Sequence, residues 1–281
     1  MKSFRSIQEV REWRAHHPSL AFVPTMGNLH QGHLDLCRLA KQRTDHVIVS
    51  IFVNPLQFGP QEDFNNYPRS EANDLEKLET LGVDAVFLPR VEELFPAINY
   101  ASKIIVNPEL SNDLCGKSRP GHFTGVTTIV AKLLHIIQPQ LMIMGEKDYQ
   151  QLTLIRQMVS DLNLPLSVVS CPTARDQNGL ALSSRNGYLS QEERQLAPQL
   201  YHCLQQIKQA VQNAATDYSS LLENARQALT QANIQVDYLE IRCAKTLNKL
   251  TADTKDKIVL VAAKLGRTRL IDNLLITGDQ N

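Results

Sequence analysis

The sequence predicts an α/β fold, a mostly parallel sheet with helices on both faces, followed by a smaller C-terminal α+β domain. Three observations carry that reading. Aliphatic runs such as Val47-Ile48-Val49-Ser50-Ile51-Phe52-Val53 recur at wide intervals, as strands buried on both faces require. Between them lie stretches with apolar residues every three or four positions, as at Leu75, Leu78 and Leu81, which is the helical period. Past about residue 190 the texture turns polar and glutamine-rich, and three short strand runs follow two helical stretches.

In chain order, Leu20-Ala21-Phe22-Val23-Pro24 is the first buried strand. Residues 33–44 set Leu34, Cys37 and Leu39 among Asp35, Arg38, Lys41 and Arg43, an amphipathic helix. The run 47–53 is the next strand, 71–81 a helix, and Asp84-Ala85-Val86-Phe87-Leu88 a strand. Residues 125–137 predict a helix, Leu141-Met142-Ile143-Met144 a strand, 149–162 a helix and 166–169 a strand. Strands alternating with helix-length segments build βαβ units and a Rossmann-like sheet. The tail predicts helical stretches 191–215 and 218–232, then strands near 236–241, 258–263 and 270–275. Asn186-Gly187 favours a turn and marks the expected joint between domains 1–186 and 187–281.

Length and charge bound the function. The 281 residues suit about two domains at roughly 100–200 residues each. Lys+Arg and Asp+Glu each number 29, so the formal net charge is zero. A dedicated nucleic-acid binder needs a cationic excess, so no nucleic-acid partner is expected. No apolar run approaches the ~20 residues of a membrane-spanning helix. The mixed-charge opening segment lacks a signal peptide's apolar stretch. The five cysteines, Cys37, Cys115, Cys171, Cys203 and Cys243, are odd in number and spread without a Cys-x-x-Cys. That argues against a disulfide framework and for a reducing cytoplasm.

The most informative segment is Pro24-Thr25-Met26-Gly27-Asn28-Leu29-His30-Gln31-Gly32-His33. It leaves a strand and enters a helix at the edge of the sheet where α/β proteins bind ligands. Gly27-x4-Gly32 has the glycine spacing of a P-loop, but His33 and Leu34 stand where lysine and a hydroxyl residue belong, so that reading fails. What remains is His-x-Gly-His at a helix N-terminus, where free N–H groups favour an anion. Gly32 lets a nucleotide approach the backbone, and two imidazoles can stabilise charge developing on phosphate. A zinc pair would need further nitrogen or sulfur ligands, and none is evident.

His30-Gln31-Gly32-His33 is similar to the HIGH signature of the nucleotidyltransferase superfamily. The ten residues from Pro24 to His33 resemble the pantothenate synthetase (pantoate–β-alanine ligase) family. Phe52-Val53-Asn54-Pro55-Leu56-Gln57-Phe58-Gly59 carries the resemblance further. Asn54 and Gln57 are amides suited to hydroxyl and carboxylate oxygens, or simple turn chemistry. Arg119-Pro120-Gly121-His122-Phe123-Thr124-Gly125 sets an Arg and a His beside two glycines, fit to bind an anion or to form a capped loop. In Gly145-Glu146-Lys147-Asp148, Lys147 can place a point charge on phosphate. Asp148 can cap the helix or take a ribose hydroxyl. The last matching stretches are Thr173-Ala174-Arg175-Asp176 and Leu180-Ala181-Leu182-Ser183-Ser184-Arg185-Asn186.

The resemblance implies an AMP-forming ligase that activates pantoate as pantoyl-adenylate and passes the acyl group to β-alanine. It implies that Met26, Gly27, Asn28, Leu29, His30, Gln31, Gly32, His33, Gly145, Glu146, Lys147 and Asp148 bind ATP. Ala174, Leu182, Ser183, Ser184 and Arg185 join them, with His33 and secondarily His30 at the α-phosphate. Gln57 and Gln151 bind pantoate, with Asn54 beside them, and Arg119, His122 and Tyr67 form the site wall. Mg²⁺ enters with ATP, carried mainly by nucleotide oxygens. Asp74 is a candidate outer ligand and equally a solvated helix residue. No organic cofactor is expected. The C-terminal domain is expected to act as a lid, and a homodimer follows from the family pattern. Another HIGH-type nucleotidyltransferase and a non-catalytic nucleotide-binding module are the alternatives.

Overall fold

The computed structural model describes residues 1–60, 62–213 and 215–277. Its elements run β1 (Lys2–Phe4), α1 (Ile7–Ala15), β2 (Leu20–Thr25), α2 (Gln31–Lys41), β3 (His46–Ile51), α3 (Glu71–Thr80) and β4 (Ala85–Phe87). Three single-turn helices follow, α4 (Val91–Leu94), α5 (Pro108–Ser111) and α6 (Cys115–Ser118). Then come α7 (His122–Ile137), β5 (Leu141–Gly145), α8 (Tyr149–Asp161) and β6 (Ser167–Cys171). The chain ends with α9 (Gln191–Leu196), α10 (Gln199–Gln212), α11 (Tyr218–Gln231), β7 (Gln235–Cys243), β8 (Lys257–Leu265) and β9 (Thr268–Ile276). It forms two compact units, Met1–Glu146 with Leu154–Pro172, and Lys147–Thr153 with Thr173–Asn281.

In the first unit six strands pair in the order β1-β4-β3-β2-β5-β6, every pair parallel. The chain starts its main winding at β2, runs outward through β3 and β4, and returns on the other side of β2 as β5. This reversal makes the C-terminal ends of β2 and β5 the switch point, the place where doubly wound sheets bind ligands. The strands are buried runs because helices cover both faces. Ala21, Val23, Val47, Val49, Val86 and Ile143 pack with Leu36, Ala40 and Leu78 of α2 and α3.

Two elements at the start lie outside the sequence expectation. Three residues of β1 are too few to show a period, yet they pair with β4 from Lys2 opposite Ala85. Helix α1 begins with a capping box, Ser6 with Glu9, whose Ser-x-x-Glu spacing was a readable start signal.

The second unit is an antiparallel sheet, β7-β8-β9. Leu239, Val259, Val261 and Ala263 of the sheet pack against Leu200, Leu204 and Ile207 of α10 and Leu229 of α11. The single helical stretch expected over 191–215 is two helices, α9 and α10. Pro198 stands between them and has no N–H to continue the ladder. Position 214 of that stretch lies outside the described residues.

Candidate active site

Strand β2 ends at Thr25, whose hydroxyl donates to Ser50 O at 2.7 Å and accepts the Gly27 N–H at 3.2 Å. Gly27 and Asn28 then take left-handed backbone, φ +83° and +51°. The turn puts His30 at the N-cap of α2. The Gly32 N–H donates to His30 Nδ1 at 3.1 Å, and the His30 N–H donates to His33 Nδ1 at 3.3 Å. An Nδ1 that accepts a backbone N–H leaves the proton of a neutral ring on Nε2. Both imidazoles therefore carry an Nε2–H donor, their centroids 4.0 Å apart, at a helix end with positive partial charge.

The segment after β3 forms a tight turn, Pro55–Gln57, capped by Asn54. Asn54 is buried. Its Nδ2 donates to Gln57 Oε1 at 3.0 Å and Gly125 O at 3.1 Å, and its Oδ1 accepts the Leu56 N–H at 3.2 Å. Gln57 Nε2 donates to Met26 Sδ at 3.1 Å, tying the glutamine to the first loop. Helix α7 approaches this turn closely because residue 125 is glycine. A Cβ there would meet Leu56 O at 2.1 Å.

Arg119 and His122 hold the same turn from another side. His122 Nδ1 lies 2.8 Å from Gln57 O. A carbonyl only accepts, so Nδ1 carries the proton and Nε2 accepts from Arg119 Nη1 at 2.8 Å. Arg119 also forms a two-pronged pair with Glu62, Nε to Oε1 at 2.8 Å and Nη2 to Oε2 at 2.6 Å. Tyr67 is buried against Phe58, ring centroids 5.9 Å apart. Strand β5 ends at Gly145, with Glu146 following.

Asp74, on α3, is buried. It accepts the N–H groups of Asn28 at 2.8 Å and Leu29 at 2.7 Å, and the Ser70 hydroxyl at 3.2 Å. Those donors take three of the carboxylate's roughly four lone-pair sites. Among the described residues no group of three or more His, Cys, Asp or Glu is placed to hold a metal ion.

The second unit carries the remaining residues that the sequence predicts for the site. Lys147 Nζ lies 3.5 Å from Asp148 Oδ2, and its carbonyl accepts Asn273 Nδ2 at 3.0 Å. Tyr149 donates to Ala244 O at 3.0 Å, and Gln151 follows in the first turn of α8. The Leu182 N–H donates to Ala174 O at 2.9 Å. Arg175, beside Ala174, pairs with Asp272 through two bonds of 2.6 and 2.8 Å and stacks over Tyr201 at 3.8 Å. Burial pushes the Asp272 carboxyl up, and the Arg175 guanidinium opposes it. Ser183 accepts the Arg185 N–H at 3.2 Å and caps the short turn Ser184–Tyr188.

Residues 2–275 match the family model for Pantoate-beta-alanine ligase. The chain belongs to the pantoate–β-alanine ligase family. Pantothenate synthetase of Pseudomonas fluorescens Pf-5 is 50% identical over 278 residues, 98% of this chain and 97% of the relative. A solved pantothenate synthetase from Thermus thermophilus is 42% identical, superposes with a TM-score of 0.92, and covers 99% of this chain and 100% of its own. A solved ligase from Francisella tularensis, complexed with beta-gamma ATP and beta-alanine, is 36% identical with a TM-score of 0.83, covering 98% and 97%. Members of this ligase family use ATP, and the parallel sheet with its small antiparallel partner is the fold the solved relatives share.

Four residues of the ligase lie outside the sequence expectation: Glu62, Lys77, Asp272 and Asn273. Asp272-Asn273 had a signal, a polar pair inside the apolar strand run Leu270 to Leu275, since a buried charge needs a partner. Glu62 and Lys77 had none, because both stand among other charged residues.

Proposed function

We propose that this chain joins (R)-pantoate to β-alanine, forming pantothenate, AMP and pyrophosphate. The observation that carries the reading is the paired His30 and His33, Nε2–H donors on a helix N-terminus beside the switch point. Membership of the ligase family supports it, as does the Francisella relative's complex with ATP and β-alanine.

The pantoate carboxylate attacks the α-phosphorus of ATP, and pyrophosphate leaves with the electron pair of the broken P–O bond. The β-alanine amine then attacks the acyl carbon of pantoyl-adenylate, AMP leaves, and the amine loses a proton. The carboxylate alone is a poor acyl donor, so adenylation supplies the leaving group. The protein supplies orientation and charge stabilisation. His33, seconded by His30, stabilises charge on the α-phosphate. The backbone from Met26 to Gly32, with Gly145 and Glu146, lines the nucleotide. Lys147, Asp148, Ser183, Ser184 and Arg185 hold the phosphates and ribose, and Ala174 and Leu182 the adenine. Gln57 and Gln151 bind pantoate, with Gln57 set in place by Asn54, Arg119 and His122. Mg²⁺ travels on the nucleotide oxygens. The five free thiols support a reducing, cytoplasmic setting, and a homodimer accords with the family pattern.

The deciding experiment is an assay with ATP, Mg²⁺, pantoate and β-alanine, omitting each in turn. Free AMP together with an amide product, both lost when either acid is withheld, is the expected result. A nucleotide-linked product without amide would make the chain another nucleotidyltransferase. ATP binding without AMP release would make it a non-catalytic module.

A further inference from the structure

We propose that helix α3 is a clamp for the nucleotide loop, with Asp74 and Lys77 as positioning residues. The proposal rests on the ATP reading of that loop. Gly27 and Asn28 occupy left-handed backbone in succession, a conformation that asparagine tolerates better than other non-glycine residues and that the surroundings here hold in place. The surroundings here are two side chains one turn apart on α3. Asp74 Oδ2 accepts the Asn28 N–H at 2.8 Å, and its Oδ1 accepts the Leu29 N–H at 2.7 Å. Lys77 Nζ donates to the carbonyl of the same Leu29 at 2.7 Å. Positions i and i+3 face the same side of a helix, so one rigid surface grips both N–H groups and the carbonyl just before His30. Gly27 completes the fit. A Cβ at that position would lie 3.0 Å from Ile51 Cγ2 and 3.1 Å from Asp74 Oδ2.

The charges suit the task. Bonds to ionised groups are shorter and stronger than neutral ones, and here an anion takes the N–H groups while a cation takes the carbonyl. The Asp74 carboxylate, 1% exposed, is already engaged by Asn28, Leu29 and Ser70. These three bonds leave about one of the carboxylate's lone-pair sites, on an oxygen that already holds the loop. The clamp and the metal-ligand role differ in what they predict about Mg²⁺.

The test measures ATP binding by titration calorimetry, with Mg²⁺ and with EDTA, alongside kcat and KM for ATP and pantoate. Lys77→Met removes one charged bond and should raise the ATP Kd about tenfold, by the same factor with and without metal. KM for ATP should rise in parallel and KM for pantoate should hold. Lys77→Arg keeps a donor and should recover most of the loss. Asp74→Asn turns an amide NH₂ toward a backbone N–H and should lose more than Lys77→Met, again independently of Mg²⁺. If Asp74→Asn does not fold, the Lys77 pair alone decides. Normal ATP affinity in Lys77→Met would overturn the clamp. So would a defect in Asp74→Asn seen only with Mg²⁺, which would make Asp74 a metal ligand. Wild-type chain that binds no ATP would overturn the nucleotide reading, and the clamp with it.

Discussion

The imidazole rings of the first motif and the cationic residues of the second unit are held in opposite ways. In the turn from His30 to His33 the rings are fixed by their own neighbourhood: each Nδ1 takes an N–H two or three residues away. In the second unit the corresponding residues depend on distant chain. The Lys147 carbonyl is held by Asn273, 126 positions on, and Arg175 by Asp272, 97 positions on. A short loop can preset two imidazole tautomers by itself. A lysine and an arginine on separate segments cannot preset each other, so adjacent residues of one late strand, β9, do it for both.

Breaking the distant arrangement should have the largest effect. Asp272→Ala leaves the Arg175 guanidinium largely buried without its carboxylate. Removing one partner of a buried pair costs about 3–5 kcal/mol, so the urea midpoint of the variant should fall well below wild type. A loss under about 1 kcal/mol, the range of an exposed pair, would mean that Tyr201 and the Gly179 carbonyl suffice for Arg175, and the contrast between regions would weaken. Breaking the local arrangement should act on chemistry instead. His33→Ala should slow pantoate-dependent pyrophosphate release at least ~100-fold, the cost of one oxyanion-type donor, while stability falls by no more than the one lost bond from the His30 N–H, about 0.5–1.5 kcal/mol. Near-normal turnover would remove His33 from the α-phosphate.

This contrast also explains what could be read in advance. Apart from β1, the parallel sheet was legible because its strands are apolar runs, and its helices other than α1 because each repeats its period within a dozen residues, all local properties. The His-x-Gly-His turn was legible for the same reason. Asp74 drew notice as a carboxylate near the site. Its bonds to Asn28 and Leu29 reach back 46 and 45 positions, set by how α3 lies on the sheet, and no pattern on α3 announces them. Glu62 is similar: its fork to Arg119 spans 57 positions. Asn54 was read on local grounds as a substrate amide or as turn chemistry, and the structure shows it capping the Pro55–Gln57 turn with its amide divided between Gln57 Oε1 and the Gly125 carbonyl.

The smallest effect is the most informative about β9. Asn273 donates a neutral bond, Nδ2 to the Lys147 carbonyl at 3.0 Å, and its own N–H is already occupied by Asp272 Oδ1 at 2.7 Å. Asn273→Ala therefore removes the amide while leaving the Arg175–Asp272 pair intact. A neutral bond contributes about 0.5–1.5 kcal/mol, so KM for ATP should rise roughly two- to tenfold and KM for β-alanine should not move. If both constants rise together, the strand supports the second unit in general rather than Lys147 in particular. If neither rises, Lys147 is positioned by its own turn, and the two regions are more alike than their bonding suggests.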